Sequence, residues 1–215
     1  MTTREGTHAR LPFIAVCALT LACLGALACW PVRTVAAGAP PGVAADRPGD
    51  ASRLIEVVHA GRVDAVRRLV GAGLAIDARS PGDGTALIVA ARRGDLAMVD
   101  ALLDLGANVD RSCPGDGDPL IAAAAGGHAE VIGRLLAAGA HVDAIVPGDE
   151  TALIAAVRGD HLAAVQSLVT SGADVNLGAM ADNGQWRTPL NQARSDAVAQ
   201  FLRTRGATPG SARRR

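Results

Sequence analysis

The side chains able to do chemistry in this 215-residue chain are five histidines, four cysteines and a scatter of acidic residues. His8, His59, His128, His141 and His161 do not combine with any cysteine at metal-ligand spacing. His128 and His161 are separated by the same interval as Gly94 and Gly127, which reads as one structural position used twice. Cys17, Cys23 and Cys29 share one apolar run, so Cys113 is left alone beside Pro114. It would be reactive only if exposed as a thiolate, and a passive thiol is the simpler reading. No Gly-x-Ser-x-Gly elbow, phosphate loop or dinucleotide fingerprint occurs. We therefore expect no catalytic residue, cofactor or metal, and an array that unfolds without a metal or disulfide requirement.

The acidic residues are more telling. Residues 51–207 carry 14 Arg and 18 Asp plus Glu, a net of −4. Asp83, Asp116, Asp118, Asp149, Glu150 and Asp182 fall at turn tips. Two compatible uses are open. They can cap the following helices and keep the turns soluble, or they can form an acidic rim facing a basic partner. The whole chain has no Lys, and its 21 Arg balance 21 acids, which excludes a generally basic nucleic-acid binder. Arg213-Arg214-Arg215 ends a short basic tail, residues 208–215.

The elements holding these residues are helical by composition. The chain is 49% hydrophobic and 20% charged, too apolar for disorder. Aromatics are only 2%, whereas Ala occurs 45 times. Strands favour aromatic and β-branched residues, while Ala is the best helix former, so closely packed helices are expected.

The first fifty residues look like an address. Leu11 to Val32 is apolar except for Thr20. As a helix this stretch would reach roughly 33 Å, enough to cross a bilayer core. Residues 1–34 are thus either an uncleaved membrane anchor through residues 11–32 or a secretory signal. The length favours the anchor. The moderate hydropathy of so many Ala, and Val35-Ala36-Ala37 as a cleavage site, favour the signal. Leu21-Ala22-Cys23 and Leu27-Ala28-Cys29 match a lipid-attachment box poorly. Each reading puts the rest of the chain beyond the membrane: on the periplasmic side of the inner membrane if anchored, periplasmic or secreted if cleaved. Residues 35–51, rich in Pro, Gly and Ala, read as a linker.

Beyond the linker the chain is periodic. Gly73, Gly106, Gly139 and Gly172 fall at equal intervals and mark the register, as do Leu69, Leu102, Leu135 and Leu168. Pro-Gly-Asp recurs in step at 81–83, 114–116 and 147–149. Segments 84–116 and 117–149 are identical at nearly half of their positions, so one supersecondary unit is stacked on itself. Each unit reads as two short helices and a turn. In 84–116, Thr85 caps the first helix, Gly94 ends it, and Leu96, Val99, Leu102 and Leu103 stripe the second. Leu135 and Leu168 should be buried.

This pattern resembles the ankyrin repeat. The family's Thr-Pro-Leu-His-x-Ala stands here as Thr85-Ala86-Leu87-Ile88-Val89-Ala90, Asp118-Pro119-Leu120-Ile121-Ala122-Ala123, Thr151-Ala152-Leu153-Ile154-Ala155-Ala156 and Thr188-Pro189-Leu190-Asn191-Gln192-Ala193. Its Gly-Ala-x-Val-Asp/Asn ending recurs at 106–110, 139–143 and 172–176. The resemblance covers residues 52–207 and implies an all-α solenoid of paired antiparallel helices with β-turn fingers; the apolar run at residues 11–32 is expected to add one N-terminal apolar helix before it. The units are 52–83 (an N-terminal cap), 84–116, 117–149, 150–187 and 188–207 (a C-terminal cap). The family's motif histidine is absent, and apolar packing is expected to replace its bond between turns. The turns and the finger after Asn176 are also similar to bacterial ankyrin segments that follow the last membrane helix of antirepressor-type metallopeptidases. The peptidase's His-Glu-x-x-His is missing.

The resemblance implies a non-catalytic module that binds another protein through its turn tips and the concave face of its first helices, and a monomer is expected. Two settings stay open: a membrane-tethered regulator or sensor partner, and a soluble periplasmic protein that protects or stabilises a secreted enzyme. The interval from Thr151 to Thr188 exceeds the repeat, so the finger at 178–187 carries four extra residues. It holds Met180 and Trp186, which either cover the end of the stack or anchor a partner.

Overall fold

The computed structural model describes residues 49–146, 150–180 and 184–210. The apolar N-terminal segment, the linker up to residue 48 and the last five residues lie outside them. No helix of the described residues is long and apolar enough to cross a membrane.

The described helices come in pairs. They are α1 (Asp50–His59) with α2 (Val63–Gly71), α3 (Ala86–Arg93) with α4 (Leu96–Asp104), and α5 (Pro119–Ala125) with α6 (Ala129–Ala137). Then follow α7 (Ala152–Arg158) with α8 (Leu162–Thr170), and α9 (Pro189–Gln192) with α10 (Asp196–Thr204). Helix α1 starts at Asp50, inside the segment read as linker, and α9 is a single short turn. The first helices of each pair stack on one another, as do the second helices, so the described residues form two layers of helices joined by fingers.

The two layers bury different residues for a geometric reason. In the first layer Ala90, Ala123 and Ala156 are fully buried, and their small side chains let neighbouring helices approach closely. The second layer is spaced by larger side chains, with Leu102, Leu135, Leu168 and Leu202 all at 0% exposure. The helices of each pair pack on one another, and the pair completes the burial of its apolar faces against its neighbours.

Burial of the first helices brings their caps inside. Thr85, Asp118, Thr151 and Thr188 are all buried. Each accepts from the backbone N–H three residues on: Ile88 at 3.3 Å, Ile121 at 2.7 Å, Ile154 at 3.2 Å and Asn191 at 3.4 Å. A buried hydroxyl or carboxylate without such a partner would cost its full desolvation.

The turn between paired helices needs a left-handed residue. Gly94 and Gly127 supply it at φ 72° and 75°. The next unit has Asp160 there at φ 58°, and its carboxylate accepts from Ser195 Oγ at 2.5 Å. Asp is one of the few non-glycine residues that visit this conformation, and here its carboxylate is held by the next unit and not by a local bond.

One departure from an all-helical fold is the long finger. Ala179–Met180 (β1) and Trp186–Arg187 (β2) form a two-stranded antiparallel hairpin, with Ala179 opposite Arg187 and Met180 opposite Trp186. The extra residues lengthen the turn enough for its two arms to pair.

Candidate protein-interaction surface

The fingers are held to one another by a ladder the sequence reading did not assign. Asp77 accepts the Asn108 N–H at 3.0 Å, Asp110 that of His141 at 3.0 Å, and Asp143 that of Asp174 at 3.1 Å. Asn176 accepts the Thr208 N–H at 2.8 Å. Each rung spans two units, and the recurrence of Asp77, Asp110, Asp143 and Asn176 in step with the repeat was the available signal. Asp110 also bonds His141 Nδ1 through its second oxygen at 2.6 Å. Asn176 does the same job without a charge, so the rung needs an acceptor and not an anion. Asp110→Ala is therefore expected to cost about 1–2 kcal/mol in chemical denaturation and Asp110→Asn clearly less. Equal losses for the two would mean that charge matters and the acceptor does not.

The histidines at 128 and 161 also join neighbouring units. Nε2 of His128 is 3.1 Å from the Arg92 carbonyl oxygen, and Nε2 of His161 is 3.1 Å from that of Ala125. Their rings occupy space left by glycines. A Cβ on Gly94 would lie 2.4 Å from the His128 ring, and one on Gly127 would lie 2.6 Å from the His161 ring. Both imidazoles are thus structural, bonding to the exposed carbonyl ends of the preceding first helices. Among the described residues no group of three His, Cys, Asp or Glu side chains could hold a metal ion.

Cys113 is buried at 4% exposure, where its backbone bridges Gly117. Burial pushes its thiol above the ordinary value of 9.0; Arg79 and Arg111 pull it down and Asp116 pushes it up. The folded state thus favours the neutral thiol. Its contribution to stability is complete below the unfolded value and is lost as pH rises through the folded one. Alkylation of Cys113 in the native chain, read by peptide mass spectrometry, should be at least tenfold slower than in urea at pH 8. Equal rates would show an open thiol.

The residues expected at the rim separate into two groups. Asp83 and Asp116 are partly covered, and Asp116 pairs with Arg92 at 3.2 Å. Asp118 and Glu150 depart from the expected rim: both are buried, at 4% and 6% exposure, and neither is a rim residue. Asp118 is turned inward as the cap of α5, and Glu150 is turned inward to meet two arginines. Asp149 and Asp182 lie outside the described residues. Met180 is 54% exposed and Ile145 51%, the two large apolar side chains presented to solvent among the described residues. Ile145, on the third finger, was not singled out by the sequence reading, because one Ile in a turn has no periodicity to mark it. It borders an open groove of about 570 Å³ between the second and third fingers, lined also by Asp110, His141 and Asp143.

Trp186 is half-buried against the backbone of its own hairpin. A Cβ on Gly178 would lie 2.6 Å from the indole, so glycine there makes room for the ring. The Trp186 carbonyl accepts from Asn191 Nδ2 at 3.3 Å, tying the hairpin to α9. Trp186→Ala should cost about 2 kcal/mol, roughly half the loss for a fully buried Trp. An unchanged thermal midpoint would mean that the ring packs on nothing that matters to stability.

A family model for ankyrin repeats in three copies matches residues 54–146 and 114–179. The chain belongs to the ankyrin-repeat family. No curated protein matches it. Membership accounts for the two-layer stack and the projecting fingers. It also identifies the chain as a protein–protein interaction module of a type that is typically non-catalytic. In this ankyrin array the polar column at the finger bases is consumed by the ladder. The large apolar side chains left exposed on the fingers are Ile145 and Met180.

Proposed function

We propose that this ankyrin array is a non-catalytic protein-binding module that works outside the cytoplasm, tethered to the membrane as a regulator or sensor partner. The observation that carries the binding surface is Met180, more than half exposed on the one finger lengthened beyond the repeat. A methionine held in solvent contributes nothing to the core, and its flexible thioether adapts to varied partner surfaces. Asp83 adds negative charge at a tip and suits a partner with a basic group at its contact edge, whereas the charge of Asp116 is offset by Arg92. The apolar run at residues 11–32 supports the tether, and the similarity to segments that follow the last membrane helix of antirepressor-type metallopeptidases suits the same arrangement.

A photo-cross-linker placed at Met180 in intact cells tests the surface, with one at Glu130, exposed on the second-helix layer, as control. A specific product from Met180 and none from Glu130 is expected; identical products, or none from Met180, would sink this surface. The mass of the mature chain tests the tether. Retention of residues 1–37 in the membrane fraction supports an anchor. Cleavage after Ala37 would favour the second reading, a soluble periplasmic protein that protects or stabilises a secreted enzyme.

A further inference from the structure

The third finger breaks the rule that the first two obey. Gly84 and Gly117 close their fingers in the left-handed region, at φ 77° and 72°, by bridging Ser80 and Cys113. The third unit has Glu150 in that column. Glu150 does not adopt the left-handed conformation; among the described residues Asp160 is the one non-glycine that does. Glu150 takes another backbone path there, and the chain gains a long acidic side chain where the other fingers have none.

That side chain is put to use. Its carboxylate is 7% exposed, and one oxygen, Oε1, accepts from Arg158 at 2.7 Å and also pairs with Arg187. Arg158 ends α7, while Arg187 lies in β2 of the lengthened finger. One carboxylate therefore joins the third finger, the first helix of its own unit and the hairpin of the next finger. The second oxygen, Oε2, is buried without a hydrogen-bond partner. Desolvating a carboxylate this completely, with half its acceptor capacity unused, is a poor way to gain stability. Such a group is better explained by fixing a geometry. The earlier part of the array does this differently: Arg92, the equivalent of Arg158 two units before, reaches forward to Asp116 at 3.2 Å, a link between two partners and not three.

We infer that Glu150 is a positioning residue for the long finger: held between Arg158 and Arg187, its carboxylate fixes the hairpin that displays Met180. The glycine-to-glutamate exchange in the third finger and the four-residue insertion in the fourth are then two halves of one device. The recognition role of the positioned hairpin rests on the protein-binding reading above; the clamp itself does not.

The test uses the full chain carrying Trp30→Phe, which leaves Trp186 as its single tryptophan. Acrylamide quenching of Trp186 is compared among the parent, Glu150→Gln, Arg158→Gln and Arg187→Gln. Glu150→Gln should raise the quenching constant at least twofold, with the thermal midpoint of the array shifted by no more than a few degrees. Arg158→Gln, remote from the indole in sequence, should raise it in the same direction. Glu150→Gln combined with Arg187→Gln should be no worse than the stronger single change, because both remove one interaction. Unchanged quenching in Glu150→Gln and Arg158→Gln, or additive effects in the double variant, would overturn the clamp. If Glu150→Gln does not fold, the Arg158→Gln measurement decides alone. Cross-linking from Met180 keeps the two readings apart. A loosened hairpin with no cross-link in any variant removes the binding role and leaves the clamp, whereas a cross-link with unchanged quenching does the reverse.

Discussion

Leu135→Ala is expected to destabilise the array by about 2–5 kcal/mol, the range for truncating a fully buried leucine. Leu135 is at 0% exposure on α6, and α6 packs against α4 on one side and α8 on the other. The cavity would open at the middle of the stack, where both neighbouring interfaces share it. In a repeat array the total stability is close to a sum of unit and interface contributions, so damage at the centre weakens two interfaces at once. Equilibrium urea unfolding reads the loss, and Leu202→Ala on the terminal α10, equally buried, provides the comparison with one neighbour missing. The central change should lower the midpoint more. A Leu135→Ala chain with unchanged stability would mean that the helix register is wrong.

Ala123→Leu is expected to be about as harmful by the opposite route. Ala123 is fully buried on α5, between α3 and α7 in the layer where small residues set the spacing. Added methyl groups have nowhere to go, and overpacking of a close-packed site costs about 1–3 kcal/mol and at times more. Here the strain would have to move a helix that contacts two others, so the upper part of that range is expected. Circular dichroism melts would show a lower midpoint with the helical signal at low temperature retained. Tolerance of leucine at 123 would show that the first-helix layer is loosely packed and that its alanines are there for helix propensity alone. The two substitutions therefore separate the two layers: one fails when volume is removed, the other when it is added.

Much of this molecule is written in its periodicity. A recurrence of Leu, Ala and Gly at one fixed interval can be satisfied only by a unit that repeats in space, and the burial of Leu102, Leu135 and Leu168 follows from their spacing. The capping role of Thr85 follows from its chemistry and its place before an apolar run, and so does the C-terminal stop at Gly94. The ladder of Asp77, Asp110, Asp143 and Asn176 had the same periodic signature but no local partner to reveal its purpose. Each rung closes on a residue of the next unit, so its meaning lies in the stacking and not in the segment that carries it.

The acidic residues show where reading along the chain stops. Asp116 and Asp118 look alike as neighbouring turn-tip carboxylates, yet one pairs with Arg92 and the other is sealed in as a helix cap. Glu150 looked like one more acid at a tip and is a buried carboxylate between two arginines. By itself the sequence determined the repeat, the helix pairing, the small and large layers and the extra length of the fourth finger, because these depend on residue types and spacings along the chain and not on which side chains meet in space. Only the tertiary structure decided which charges face water, that the long finger pairs into a hairpin, and that Glu150 meets Arg158 and Arg187. Those outcomes depend on which side chains are brought together from different units, and desolvation makes a carboxylate's role a property of its neighbours.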